Sequence, residues 1–233
     1  MNKPQPVSQQ QWLTARKVLL EQEKALTRLR DEVAEQRRAL PCTEVLIDYS
    51  FTGPAGDKTL AELFQGRSQL LIYHFMYGPD WQAGCKSCSY LADHFDAMLP
   101  HLQARDVSMA VISRAPIDTL SAFKQRMGWQ FDWLSSVDNT FNRDFHVSFT
   151  EREQRDNRIY YNYNETNYFS SEAPGLSVFY RDDDGTIYHT YSCYARGLDM
   201  LIGTYNFLDL VPKGRDEGDL PFGMAWVNYH DSY

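Results

Sequence analysis

A continuous apolar run, "QLLIYHFMY" at residues 69–77, leaves this chain few architectures. A run without polar alternation predicts a strand buried on both faces, and only a sheet covered by helices on two sides buries one so. The flanking sequence supplies such a sheet. "TEVLIDYSF" and "VSMAVIS" read as strands, "TLAELFQG" as a short helix closed by Gly66, and "CKSCSYLADHFDAMLPHL" as one helix. "PIDTLSAFKQRMG" is helical, with Pro116 near its first turn and Gly128 at its end. "FDWLSS" predicts a short strand and "DNTFNRDFHV" a short helix. "LSVFY" and "TIYHTYS", joined by "RDDDG", predict a hairpin, and "RGLDMLIGTYNFLDLVP" a last helix. The expected fold class is α/β, a mixed central sheet flanked by helices.

Residues 1–40 are expected to form a helical arm before one domain at 41–233. Ser8 and Gln11 have the form of a capping box, and Pro41 stops the pattern. Trp12, Leu19, Leu26, Val33 and Leu40 recur every seven residues, a stripe suited to lying along another helix. The stripe leaves two partners open, the arm's own domain or a second copy in a homodimer. Within the domain, a polar, Tyr-rich insertion spans about 151–171, and an aromatic tail about 212–233.

The formal charge is −8, with no Lys/Arg cluster beyond the arm, so nucleic acid is not an expected partner. No window approaches the roughly 18 apolar residues of a membrane span, and "MNKPQPVSQQQWLTARK" lacks the apolar stretch of a signal peptide. The expected compartment is cytoplasmic, where a C-x-x-C is more often catalytic or metal-binding than a structural staple.

Cys85 and Cys88 follow the buried strand after the turn "GPDWQAG" and open a helix. Free amides there favour the thiolate, Lys86 adds a charge, and three-residue spacing brings the second sulfur over the first. Cys85 is the expected nucleophile and Cys88 the resolving thiol. Two other readings stand beside this one: an inert buried pair, and a zinc site with His189 and Cys193. No metal or other cofactor is expected. Pro174 precedes the strand that should run antiparallel to the dithiol strand, so its start meets the cysteines. The hairpin then returns Cys193 to the same edge, as a third redox thiol or as a small apolar residue. Trp81, Tyr77 and Tyr90 line the approach or simply pack. His74 is expected in the core, His94 facing solvent and Asp80 solvated, while Cys42 is given no role.

Strand, C-x-x-C at a helix start, helix, strand, helix, then "AP" before a hairpin and a terminal helix resembles the thioredoxin fold, in its peroxiredoxin-like variant. "WLTARKVLLEQEKALTRLRDEVAEQRRALP", "FMYGPDWQAGCKSCSYLADHFD", "GWQFDWLSS" and "WVNYHDSY" resemble a bacterial domain-of-unknown-function family of thioredoxin-like proteins, predicted dithiol–disulfide oxidoreductases. The resemblance implies a redox role for Cys85 and Cys88, Pro174 in the place of a cis-proline, and a protein or small-molecule disulfide or thiol as substrate. A thiol peroxidase and a non-catalytic binding module are the alternatives. In the peroxiredoxin Pro-x-x-x-Thr-x-x-Cys run, the Thr position here is Gln82 and the Pro position Gly78, with Pro79 one residue away. Thioredoxin's Trp-Cys pair is likewise opened, Trp81 lying four residues before Cys85.

Overall fold

The computed structural model describes residues 5–233, so residues 1–4 of the expected arm lie outside the described residues. The arm is helix α1 (Gln9–Arg38), entered through a capping box between Ser8 and Gln11 and with Arg37 and Arg38 in its last turn. It buries none of its residues, and Trp12, Leu19 and Leu26 are each about half exposed. Val33, Ala34 and Arg37 toward its end are partly buried. Near its C-terminal end the Arg37 guanidinium lies 5.6 Å from the ring centre of Tyr191.

After α1 come strands β1 (Thr43–Glu44), β2 (Ser50–Gly53) and β3 (Gly56–Thr59), then α2 (Leu60–Leu63) and β4 (Gln69–His74). The central portion continues with α3 (Lys86–Ala92), α4 (Phe95–Gln103), β5 (Val107–Ser113), α5 (Ile117–Met127), β6 (Asp132–Ser135) and α6 (Phe141–Asp144). The insertion forms α7 (Glu151–Asp156) and a small hairpin, β7 (Ile159–Tyr161) with β8 (Asn164–Thr166). Strands β9 (Gly175–Arg181) and β10 (Ile187–Tyr194) follow, then a 3-10 helix at Ala195–Leu201 and α8 (Gly203–Leu208).

The main sheet has the order β1-β10-β9-β4-β5-β6-β2-β3. Strands β4, β5 and β6 are parallel, whereas β9 runs antiparallel to β4 and β10 antiparallel to β9. A β4-helix-β5-helix-β9-β10-helix path in the order β10-β9-β4-β5 is the thioredoxin connectivity, here enlarged by β6 and the β2–β3 edge. Strand β4 explains the unbroken apolar run. Tyr73 packs with Leu91, Phe95 and Leu120 on one face; Leu70 and Ile72 pack with Leu63, Phe64 and Phe141 on the other.

Three local expectations are corrected. The helix after the cysteines breaks at Asp93 and His94, where the Trp129 indole donates to the Asp93 carboxylate at 2.9 Å. Pro100, lacking an N–H, further weakens the second half of that ladder. The last helix divides into a 3-10 turn and the short α8. "TEVLIDYSF" keeps strand pairing at its ends alone, as β1 and β2. By contrast α5 ends at Gly128, whose φ of 69° is the left-handed conformation that a helix terminus of this kind favours.

Candidate functional site

The backbone leaving β4 stays on the sheet for three more residues: Phe75 N–H donates to the Ile112 carbonyl and Ala115 N–H to the Tyr77 carbonyl. The chain then loops through 78–84 and returns, with Cys85 N–H donating to the Met76 carbonyl at 3.0 Å. That bond fixes Cys85 directly before the first turn of α3. Gly84 permits the return, because a Cβ there would stand 2.8 Å from the Phe75 ring.

Cys85 is partly exposed and Cys88, one turn on, is 1% exposed. Both thiols are free, Cys85 standing at the start of α3 and Cys88 one turn on. Donation from the Cys88 thiol is the largest influence on Cys85, followed in the same direction by the amides of Cys88 and Ser87 and the Ser87 hydroxyl. Together they overcome burial and bring the Cys85 thiol down from 9.0 to about 7. Cys88 moves the other way: burial and the neighbouring Cys85 push it well above the ordinary thiol value. Its sulfur accepts from the Met76 amide at 3.5 Å. Lys86 was expected to assist, but its ammonium turns to the Asn228 side chain at 2.9 Å and lies over the Tyr229 ring.

Both cysteines line a cavity of about 420 Å³. Its floor includes Tyr73, Met76 and Leu91, and Pro174 forms part of its wall. No cis peptide bond occurs among the described residues, so the expectation of a cis-proline at Pro174 is corrected. An extended track delivers Pro174 to the cavity instead. Ala173 N–H donates to the Val147 carbonyl, and the Tyr161 hydroxyl donates to the Pro174 carbonyl at 2.7 Å. The Tyr161 oxygen also accepts from Ala195 N–H at 2.9 Å, so the Tyr-rich insertion braces this wall.

Cys193 pairs across β10–β9 with Leu176, which pairs across β9–β4 with Tyr73. That register puts Cys193 on the dithiol's face of the sheet, two strands from β4 and so about 10 Å away at this level. It borders a separate cavity beside Leu40 and Tyr163, and burial raises its thiol. His189 does not join it. A bulge between His189 and Tyr191 reverses the side-chain alternation, so His189 packs on Phe145 and Phe179 on the opposite face. The zinc reading therefore falls, since its four ligands straddle the sheet; among the described residues no group of three or more His, Cys, Asp or Glu side chains is gathered to hold a metal.

Trp81 folds back onto Gly78, whose added Cβ would lie 2.8 Å from the indole nitrogen, and it does not line the cavity. Tyr77 packs on Phe123, and Tyr90 on Tyr205 and Trp226. His74 is buried against Phe141 and Phe145, with its Nε2 2.8 Å from the Ser177 hydroxyl, and burial lowers its pKa to about 3. His94 is not solvent-facing but half-buried, its Nε2 accepting from Thr204 N–H at 3.3 Å. Asp80 and Cys42 are exposed.

The sequence reading missed the cavity's outer wall. Arg215 bonds Asp199 at 3.1 Å and Asp209 at 2.8 Å, and its guanidinium lies 3.8 Å from the centre of the Tyr205 ring. Glu217 accepts from the Tyr205 hydroxyl at 2.6 Å, the Trp226 indole at 2.7 Å and Met224 N–H at 2.9 Å. No spacing rule exposes such pairings in an irregular segment; the one visible signal is the density of aromatic and charged residues between 205 and 229.

The chain belongs to the family described as "Bacterial protein of unknown function (DUF899)", whose model matches residues 1–233. No curated protein matches. Among solved structures, peroxidoxin BcpB from Mycobacterium tuberculosis is similar at 14% identity and a TM-score of 0.46, covering 71% of this chain and 95% of its own. A peroxiredoxin Q mutant from Xanthomonas campestris is similar at 16% identity and a TM-score of 0.46, covering 70% and 98%. A PrxQ mutant from Xylella fastidiosa has 11% identity and a TM-score of 0.46, with 71% and 94% covered. Strand order and connectivity, rather than these likenesses, carry the fold assignment.

Proposed function

We propose that this member of the family is a dithiol–disulfide oxidoreductase with Cys85 as nucleophile and Cys88 as resolving thiol. The observation that carries the reading is the placement of the pair: Cys85 stands at the entry of α3, Cys88 lies buried one turn on, and both line one cavity. One donates to the other, so Cys85 is held at about 7 and Cys88 is held protonated. A nucleophile near ambient pH combines a large thiolate fraction with retained nucleophilicity.

The Cys85 thiolate attacks one sulfur of a substrate disulfide, forming a Cys85–substrate disulfide and releasing the other half as a thiolate. That leaving thiolate takes up the Cys88 proton, directly or through water. Cys88 then attacks the Cys85 sulfur, closing the intramolecular disulfide and releasing the second substrate half. Two electrons pass from the protein dithiol to the substrate, and an external dithiol reductant restores the pair. The reverse sequence oxidises a substrate dithiol. Pro174 supports the substrate's approach, as a wall of the same cavity. Cys193 takes no part in the exchange, and Trp81 acts through the shape of the 78–84 loop rather than by touching substrate.

The test is a trap. Cys88→Ser, reduced and mixed with one equivalent of a small disulfide, is expected to retain one substrate half on Cys85 by peptide mass. The unaltered protein is expected to release both halves and finish with Cys85 linked to Cys88. Adducts that persist equally in both proteins contradict the assignment. The exposed seven-residue stripe of α1 favours a second copy of the chain as its partner. Leu19→Lys with Leu26→Lys should then convert a dimer to a monomer in sedimentation equilibrium; an unaltered protein that sediments as a monomer ends that assignment.

A further inference from the structure

The cavity beside the two thiols is walled in part by the end of the chain, and this wall bears on what can reach Cys85. Residues on each side of the nucleophile are engaged. The Tyr229 hydroxyl donates to the Gly84 carbonyl at 2.7 Å, and Lys86 donates to the Asn228 side chain at 2.9 Å. Between these anchors and α8, the segment runs beside the opening and contributes Arg215, Glu217, Gly223 and Met224 to the wall. It is tied at further points, by Arg126 to Asp231 at 2.8 Å and by His230 to Asp93 at 2.7 Å. An incoming polypeptide would have to lie along the backbone around Cys85, and those groups are occupied.

The polar groups of the wall are also satisfied internally. Asp199 pairs with Arg196 and Arg215, Arg215 pairs again with Asp209, and Glu217 accepts three hydrogen bonds. No cation of this wall stands unpaired to receive a carboxylate, and the chain's charge of −8 opposes anions at long range. The remaining lining near the sulfurs is mostly apolar, with Met76, Leu91, Leu198, Ile202 and Met224 beside Tyr73 and Ser87. A volume of about 420 Å³ falls within the range of about 300–1,000 Å³ that suits small molecules.

We infer that the substrate is a small, uncharged, largely apolar disulfide or thiol that enters this cavity, and that the 209–229 segment is the barrier excluding protein disulfides. The inference rests on the dithiol reading of Cys85 and Cys88, and adds the substrate class.

The experiment follows oxidation of the reduced, full-length protein by three probes: neutral dithiodipyridine, dianionic dithiobis(nitrobenzoate) and insulin. Each rate is divided by that of the same probe with dithiothreitol, which removes intrinsic reactivity. The normalised neutral rate should exceed the anionic one by at least about tenfold, the factor given by burying roughly two methylenes' worth of apolar surface. Insulin should react more slowly still. Tyr229→Phe and Glu217→Ala should each raise the insulin rate, by about fivefold for the single hydrogen bond lost in Tyr229→Phe.

Insulin and dithiodipyridine reacting equally in the unaltered protein would overturn the substrate class. An insulin rate unchanged in both variants would overturn the barrier. Iodoacetamide labelling of Cys85 separates these failures from a failure of the underlying reading. A Cys85 that labels no faster than an ordinary thiol at neutral pH removes the nucleophile itself; rapid labelling with no probe discrimination removes only the substrate class.

Discussion

Cys88 and Cys193 are both buried thiols on one face of the same sheet, and burial raises both, yet only Cys88 stands one turn from a second cysteine. At the end of β4 the chain doubles back, so that Cys85 stands against a second thiol, two amides and the Ser87 hydroxyl, and burial loses to these four donors. At the end of β10 no such turn follows a second cysteine. Cys193 has the Tyr191 phenol and the more distant Arg37 charge to lower it, and burial prevails. Burial is common to both regions; the number of donors aimed at sulfur is not. Reactivity therefore follows the local path of the backbone more than depth in the core.

The largest expected effect to break this comparison is on turnover. Cys85→Ser should abolish exchange with a neutral small disulfide, whereas Cys193→Ser should leave the rate within about twofold, since it removes no donor from the dithiol. Comparable losses in both variants would show that the two regions act together. Stability should show the next effect. The folded Cys85 value is depressed from 9.0 to about 7, so its contribution is fully present above 9 and is lost as pH falls through 7. The reduced protein should gain at most about 2–3 kcal/mol relative to Cys85→Ser between those limits, read by urea unfolding across that pH range. A flat difference would mean that the donors act equally in the unfolded chain.

A sharper division comes from Cys88→Ala. Removing the largest lowering influence should move the pH midpoint of Cys85 alkylation upward from about 7, leaving the two amides and the Ser87 hydroxyl. An unchanged midpoint would transfer the whole effect to the amides. The smallest effect belongs to the wall between the regions: Tyr161→Phe loses the bonds to Pro174 and Ala195 and should cost about 1–3 kcal/mol in urea unfolding. A cost near zero would show that the insertion does not brace Pro174.

Regular elements were the legible part of this chain. The run at 69–77 announced a doubly covered strand, "VSMAVIS" coincides with β5, and the hairpin after Pro174 followed from its alternation and its Gly-assisted turn. The antiparallel return of β9 to the dithiol strand also followed, because connectivity restricts where a hairpin can dock. What escaped depended on single contacts. Asp93 interrupts a helical pattern because a tryptophan more than thirty residues away donates to it. The bulge after His189 inverts a face that spacing alone would assign wrongly. Arg215 and Glu217 acquire their place from ion pairs and hydrogen bonds within an irregular segment, where no periodicity exists to read.

The proposed exchange requires Cys85 to be an anion near neutrality beside a protonated Cys88. Ultraviolet thiolate absorbance of the reduced protein, titrated against pH and referenced to Cys85→Ser, tests it most directly. A single Cys85 transition is expected at about 7, with Cys88 titrating well above the ordinary thiol range. A first transition at or above 9.0 would contradict it.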